Sequence, residues 1–447
     1  MSRFLTEMSN LLRSSAPKRR RAFSVEILES RALLSSTAVI SWKMAPRIVL
    51  DPAHGNAPSL PNTPAYVSPE GGYKVLLDAT KTPGLRPRST FNWAISESGQ
   101  VIASVQGKKS SVSLPEGPYS VQLTVNGVRG SKDSLVASQD ITINNVLIVA
   151  IGDSYASGEG NPVVDGRYFL RSPKWAYSPD PAMNLQNAQG HRSTLAAPAQ
   201  FALKLQKNNP HEAVTFVSVA NSGATIDEGL LGPMTSRVDD DYILPGQIEQ
   251  VKDIVGSQPI DVLTVSIGGN DIGFSTRLKE LASNSILGGT TLSEIQTRVN
   301  TDLATLPQKY ASLGRAIKGL NPGNVLITDY PDLTRNQKGQ YAPIDLMGLD
   351  AISKENVQFA DQNIRMPLNQ NVETAAAANG WTAVGSLDAS FLTHGYSSTD
   401  SWFRSVGESL KYESSVIGAF HPNMKGQQAI ADRLLAAYDQ TFVSAAH

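Results

Sequence analysis

The stretch VLIVAIGDSYASGEG, residues 146–160, decides how the rest of the chain is read. Six apolar residues, Val146 to Ile151, run without interruption, the pattern of a strand buried on both faces of a parallel sheet. Gly152 ends the run, Asp153 and Ser154 follow, and two more glycines stand at 158 and 160. A strand that stops on glycine and hands over to short polar residues predicts a tight turn, with the Ser154 hydroxyl exposed at the sheet edge.

Outward from this strand, the C-terminal part of the chain alternates strand and helix patterns, as expected for a parallel sheet covered on both faces. Strands are predicted at Val146–Ile151, Val214–Ala220, Val262–Ile267 and Val325–Tyr330. Helices are predicted in TLAAPAQFALKLQK, in GQIEQVKDIV and from Thr291 to Leu320, the last opened by a capping box of Thr291 and Glu294. Ile430, Leu434 and Tyr438 fall on one face of a final helix. Upstream, PYSVQLTVN alternates Tyr119, Val121, Leu123 and Val125 with Ser120, Gln122 and Thr124, a period of two. Further short strands at Tyr73–Thr80, Phe91–Ser96, Val101–Val105 and Ser138–Ile143, separated by turn residues, predict a β-sandwich. The chain therefore divides into a leader (1–36), an all-β sandwich (37–145) and a larger α/β domain (146–447).

At 447 residues and 40% hydrophobic content, two cores are affordable, and no apolar run reaches the roughly 18 residues of a membrane span. The net charge of −1 hides a basic start: residues 1–21 carry six Lys and Arg against Glu7 alone, which leaves the remainder near −6. That start suits the positive region of an export signal, and RRRAFSVEILESRALLS resembles a bacterial leader type with a Leu-Glu-x-Arg-x-Leu-Leu core, so export is expected. The absence of cysteine excludes disulfides, thiolate metal sites and a Cys nucleophile. No phosphate-binding loop, HExxH or paired-His spacing occurs, and KRRR is too short to argue for nucleic acid. No cofactor, metal or nucleic-acid partner is expected. GDSYA fails the G-x-S-x-G elbow at Ala156, and GEGNPV fails the dinucleotide loop at Val163.

Ligands of open α/β sheets bind beyond the carboxyl ends of the strands. Three predicted strands run into small polar cassettes: GDSYASGEG, NSGAT (Asn221 to Thr225) and GGND (Gly268 to Asp271). GAFHPN sets His421 just ahead of the last helix. A serine hydroxyl is a weak nucleophile until a base takes its proton. Of the six histidines, His54 lies in the β region, His211 in a polar loop and His447 at the terminus, so the residues alone leave His191, His394 and His421 open. Donors for a developing oxyanion are available in the Ser154 amide, the Gly223 amide and the Asn270 side chain.

Taken together, GDSYASGEG, HRS (His191 to Ser193), SGAT, SIGGNDIGF and FLTHGYSSTDSW resemble the SGNH or GDSL hydrolases, in particular a secreted bacterial branch of esterases and lipases. The likeness spans roughly residues 146–445. It implies a flavodoxin-like three-layer α/β/α fold and hydrolysis of carboxylic esters through an acyl-serine. Ser154 would be the nucleophile, His421 the base, and Gly223, Asn270 and the Ser154 amide the oxyanion donors. Asp153 would be a buried support, and His394 and Trp402 structural or lining. LDATKTPG, TFNWAIS and LPEGPYSVQLTVNG resemble immunoglobulin-like PKD modules, with Trp93 in the core; a spacer or packing domain is the first reading, and contact to a cell surface or polysaccharide the alternative.

Two departures stand out. Where the family has Asp three residues before the catalytic His, this chain has Gly418. A backbone carbonyl can only accept, so the Gly418 C=O is expected to fix the imidazole tautomer; Glu413, Asp388 and Asp400 are the rivals. Relatives often carry Cys where this chain has Gly190 and Asn221. The alternatives are an inactive surface or carbohydrate-binding protein or, within the enzyme class, a polysaccharide acetylesterase or phospholipase. Trp175 and Phe169, in the Asp165–Pro181 loop, are candidates to line a pocket.

Overall fold

The computed structural model of the chain describes residues 37–129, 133–287, 289–346, 350–385 and 387–443. The leader, residues 1–36, lies outside the described residues.

Five parallel strands form the central sheet: β1 (Asn145–Gly152), β2 (Ala213–Ser218), β3 (Val262–Ser266), β4 (Asn324–Thr328) and β5 (Thr382–Val384). Their spatial order is β2-β1-β3-β4-β5, the doubly wound order whose topological switch falls at β1. Every residue of β1 is buried, and Ile148 to Ile151 are fully so. Burying side chains of this size stabilises by about 1.5–3 kcal/mol each, so the strand end that carries Ser154 rests on the best-packed part of the core. The helix Leu292–Lys318 opens on the expected capping box, with Thr291 and Glu294 bonding reciprocally. The helices Ala197–Asn208 and Met424–Val443 pack together, and the second brings residues 421–424 back to the edge where β1 ends. The predicted strands lie within about two residues of those observed; the short β5 and the helices Phe274–Leu287 and Met366–Asn379 were not anticipated.

Residues 41–143 are antiparallel. One three-stranded sheet joins Ser41–Met44, Tyr73–Asp78 and Lys109–Leu114; one four-stranded sheet joins Gln100–Gln106, Thr90–Glu97, Gly117–Asn126 and Leu135–Ile143. Both contribute to one apolar cluster around Trp93, whose indole N–H donates to the Gly107 carbonyl at 2.9 Å.

Candidate active site

Gly152 has φ +141°, and a Cβ there would come within 2.2 Å of the Ser266 carbonyl oxygen, so only glycine fits where the chain leaves β1. Asp153 then caps the short helix Ser154–Ser157: its carboxylate accepts the Tyr155 amide at 3.0 Å. It also accepts the Tyr330 hydroxyl and lies 3.5 Å from Ser266 Oγ. Burial raises its pKa to about 7 against these hydrogen bonds, which go to Tyr155, Tyr330 and Ser266 and not to Ser154 Oγ or His421.

The imidazole of His421 faces that turn. Its Nε2 is 2.8 Å from Ser154 Oγ, across 267 residues of sequence, and its Nδ1 is 3.1 Å from the Ala419 carbonyl. A carbonyl only accepts, so Nδ1 carries the proton and Nε2 is left to take the serine hydrogen. The Gly418 carbonyl, expected at Nδ1, accepts the His421 backbone N–H at 3.2 Å and, together with the Ala419 carbonyl, also acts on the imidazole to favour its protonated form. The tight turn through Phe420, at φ +68°, brings the next carbonyl to the ring. None of the three rival carboxylates is hydrogen-bonded to His421: Asp388 pairs with Arg365 at 2.7 Å, Asp400 with Lys425 at 2.5 Å, and Glu413 accepts the Gly160 amide. Burial lowers the His421 pKa and Arg237 lowers it further, while Glu159 and the neighbouring carbonyls oppose the shift.

The loops after β2 and β3 flank the turn. Asn221 N–H donates to the Gly152 carbonyl at 3.1 Å, and Asn270 Nδ2 donates to the Ala224 carbonyl at 2.9 Å. Gly223 adopts φ +89°, and neither its amide nor that of Ser154 has an acceptor among the described residues. Asp271 holds the same region, accepting Ile226 N–H at 3.1 Å and pairing with Lys309 at 2.8 Å.

Other expected residues lie apart from the Ser154 hydroxyl. His191 is buried, with Nδ1 2.9 Å from both Glu159 oxygens and its ring stacked on Trp175 at 4.0 Å. His394 stacks on Trp402 at 3.9 Å. Trp175 is thus buried in packing, and Phe169 is 68% exposed. Positions 190 and 221 are neighbours: a Cβ on Gly190 would stand 2.4 Å from Asn221 Oδ1, which accepts from Arg192 at 2.9 Å.

Sequence reasoning missed the ties between the Ser154 and His421 segments. Arg404 Nε donates to the Gly160 carbonyl at 2.8 Å, Asn161 Nδ2 to the Pro422 carbonyl at 2.8 Å, and the Tyr155 hydroxyl to the Phe420 carbonyl at 3.3 Å. Glu159 and Glu413 are buried, with carboxylate oxygens within 4.8 Å of one another. Burial and the charge of Glu159 push Glu413 up into its protonated form. Burial acts most strongly on Glu159 and in the same direction, but His191, Glu413 and His421 together outweigh it and hold Glu159 ionised. A Cβ on Gly418 would meet Glu413 Oε2 at 2.2 Å, so the pair fills the space from which a side chain at 418 would leave. The one local signal was an ionisable residue set between two glycines in GEG.

The family model for GDSL-like lipase/acylhydrolase matches residues 148–434. The chain belongs to that family. As a GDSL hydrolase it is a carboxylic ester hydrolase. Solved structures similar to it include an extracellular lipase from Streptomyces rimosus, at 20% identity and TM-score 0.44, covering 66% of this chain and 99% of the other. A phospholipase A1 from Streptomyces albidoflavus, at 21% identity and TM-score 0.40, covers 66% of this chain and 98% of its own. An acetyl-xylooligosaccharide esterase from Geobacillus, at 15% identity and TM-score 0.32, covers 66% and 94%. No curated protein matches this GDSL hydrolase. Among the described residues no helix is long and apolar enough to cross a membrane.

Proposed function

We propose that this GDSL hydrolase cleaves carboxylic esters with Ser154 as nucleophile and His421 as its base, a dyad supported by a backbone carbonyl. The observation that carries the reading is the 2.8 Å separation of Ser154 Oγ and His421 Nε2, with the imidazole tautomer set by the Ala419 carbonyl. Ser154 Oγ attacks the ester carbonyl while its proton passes to Nε2. The oxyanion is held by the Ser154 and Gly223 amides and Asn270 Nδ2. The imidazolium then returns the proton to the departing alcohol oxygen, and a water, deprotonated by the same Nε2, releases the acid and restores Ser154. Asp153 keeps the turn in shape. In this reading the chain is exported by its leader, and residues 37–145 form an Ig-like module that spaces the enzyme from a surface or polysaccharide. The substrate is a lipid or other acyl ester. A serine-directed phosphonate tests the assignment: wild-type protein is expected to be labelled covalently one to one and Ser154→Ala not at all. Labelling that persists in the variant would place the nucleophile elsewhere.

The base must be neutral to accept a proton, so activity is lost as pH falls through the His421 pKa. Because burial lowers that pKa, the acid limb of kcat/KM is expected below the ordinary imidazole value of about 6.5. Glu159 opposes the shift, so Glu159→Gln is expected to move the limb to still lower pH and to reduce kcat by roughly tenfold, as the imidazolium loses a nearby anion. A limb that moves upward would exclude this arrangement of charge. Glu413→Gln, which keeps a neutral donor against Glu159, is expected to leave the limb in place.

A further inference from the structure

The loop that follows the Ser154 cassette presents an unusual surface. Tyr168, Phe169 and Leu170 are consecutive and exposed by 57%, 68% and 83%, and Val416, on the segment that leads to His421, is 58% exposed. Arg167, Tyr168 and Phe169 all adopt left-handed backbone, at φ +48°, +53° and +68°, a conformation that disfavours L residues with side chains. Such strain persists only where the surroundings impose it. Here Gly166 N–H donates to the Tyr412 carbonyl at 2.6 Å, Tyr168 N–H to the Lys411 carbonyl at 3.2 Å and Phe169 N–H to Ser414 Oγ at 2.8 Å, while Arg171 N–H closes the loop onto the Gly166 carbonyl at 3.1 Å. The backbone is pinned to the helix Val406–Glu413 and the turn after it, and the apolar side chains are held outward. Nothing in the fold is gained by burying them, since they remain in water.

The segments that form this tip are net basic. Arg167, Arg171 and Lys174 lie on the loop and Lys411 on the helix to which it is pinned, against Asp165, which pairs with both arginines, and Glu413, which is buried. Two aromatic rings and a leucine within a basic collar match a surface whose outer layer is anionic and whose inner layer is apolar. The segment that holds the tip also carries Glu413, which accepts the Gly160 amide of the Ser154 cassette, so the tip is fixed to the same loops as the site.

We propose that Tyr168, Phe169 and Leu170, backed by Arg167, Arg171, Lys174 and Lys411, form a docking tip that inserts into an anionic lipid–water interface. This deepens the proposed function, on which it rests for its purpose, by naming acyl esters carried in a lipid layer as the substrate class. Binding itself is independent of chemistry, so the two readings fail separately.

The test is co-sedimentation of the full chain with vesicles of phosphatidylcholine, with and without phosphatidylglycerol, alongside hydrolysis of a soluble short-chain ester. Wild-type protein, and Ser154→Ala equally, is expected to partition onto the anionic vesicles, and less strongly in high salt. The triple variant Tyr168→Ser, Phe169→Ser, Leu170→Ser is expected to lose at least about tenfold in partitioning while the soluble ester is cleaved at the wild-type rate. If the triple variant fails to fold, seen as loss of soluble-ester cleavage, Leu170→Ser alone decides, with an expected loss of about threefold. Wild-type protein that ignores both vesicle types, or loop variants that bind as well as wild type, would overturn the proposal. Vesicle binding without cleavage of any ester would instead count against the ester hydrolase reading alone.

Discussion

Replacing His421 by alanine is expected to lower kcat on a soluble ester by on the order of 10⁶-fold, with Ser154→Ala costing as much and the double variant no more than either. The reason is that the two groups act as one unit. The hydroxyl is an effective nucleophile only while its proton has somewhere to go, and Nε2 at 2.8 Å is the acceptor oriented toward it. With either group gone, what remains is the oxyanion donors and substrate positioning, which the other group cannot improve. Additive losses would mean that Ser154 and His421 serve separate steps. Retention of a tenth of the rate by His421→Ala would end the dyad assignment. Both side chains sit at the sheet edge outside the apolar core, so unfolding midpoints close to wild type are expected and would separate lost chemistry from lost structure.

The second large effect is expected at Asn270. One Nδ2 hydrogen is committed to the Ala224 carbonyl at 2.9 Å, which orients the amide and leaves the other hydrogen for the charge that develops during attack. Losing one such donor costs roughly 10² to 10³ in turnover, and because the donor meets the oxyanion more strongly than the ground-state carbonyl, kcat should fall while KM changes little. The lost tie to Ala224 should cost only about 0.5–1.5 kcal/mol of stability, measurable by urea titration. A variant with full turnover would remove Asn270 from the oxyanion site. A rise in KM at constant kcat would make it a substrate-binding group instead.

The features legible in the sequence are those written locally. The run Val146–Ile151 announces a fully buried strand because both faces of β1 are covered, and the cassette after it is readable because Gly152 and Asp153 do their work within a few residues of Ser154. The capping box at Thr291 is local in the same sense. β5 was not legible because it spans only three residues, with Val384 alone buried. The helix Met366–Asn379 was hidden by its run of alanines, which blurs the apolar stripe. At His421 Nδ1 the sequence pointed to the Gly418 carbonyl but not to that of Ala419 beside it, since the register of a tight turn depends on backbone angles such as that of Phe420. The Glu159–Glu413 pair and the Arg404 and Asn161 ties join segments about 250 residues apart, and no periodicity or spacing reports such a meeting.

That separation bears on when the protein becomes active. Ser154 leaves the ribosome long before His421, and the terminal helix Met424–Val443 that follows the imidazole packs on Ala197–Asn208 across a very long stretch of sequence. On the proposed dyad, a nascent polypeptide therefore carries a hydroxyl with no base yet to deprotonate it. On the same proposal, competence to cleave waits for the C-terminal residues, and a chain truncated ahead of residue 421 is expected to be inert toward the esters of the cell that makes it.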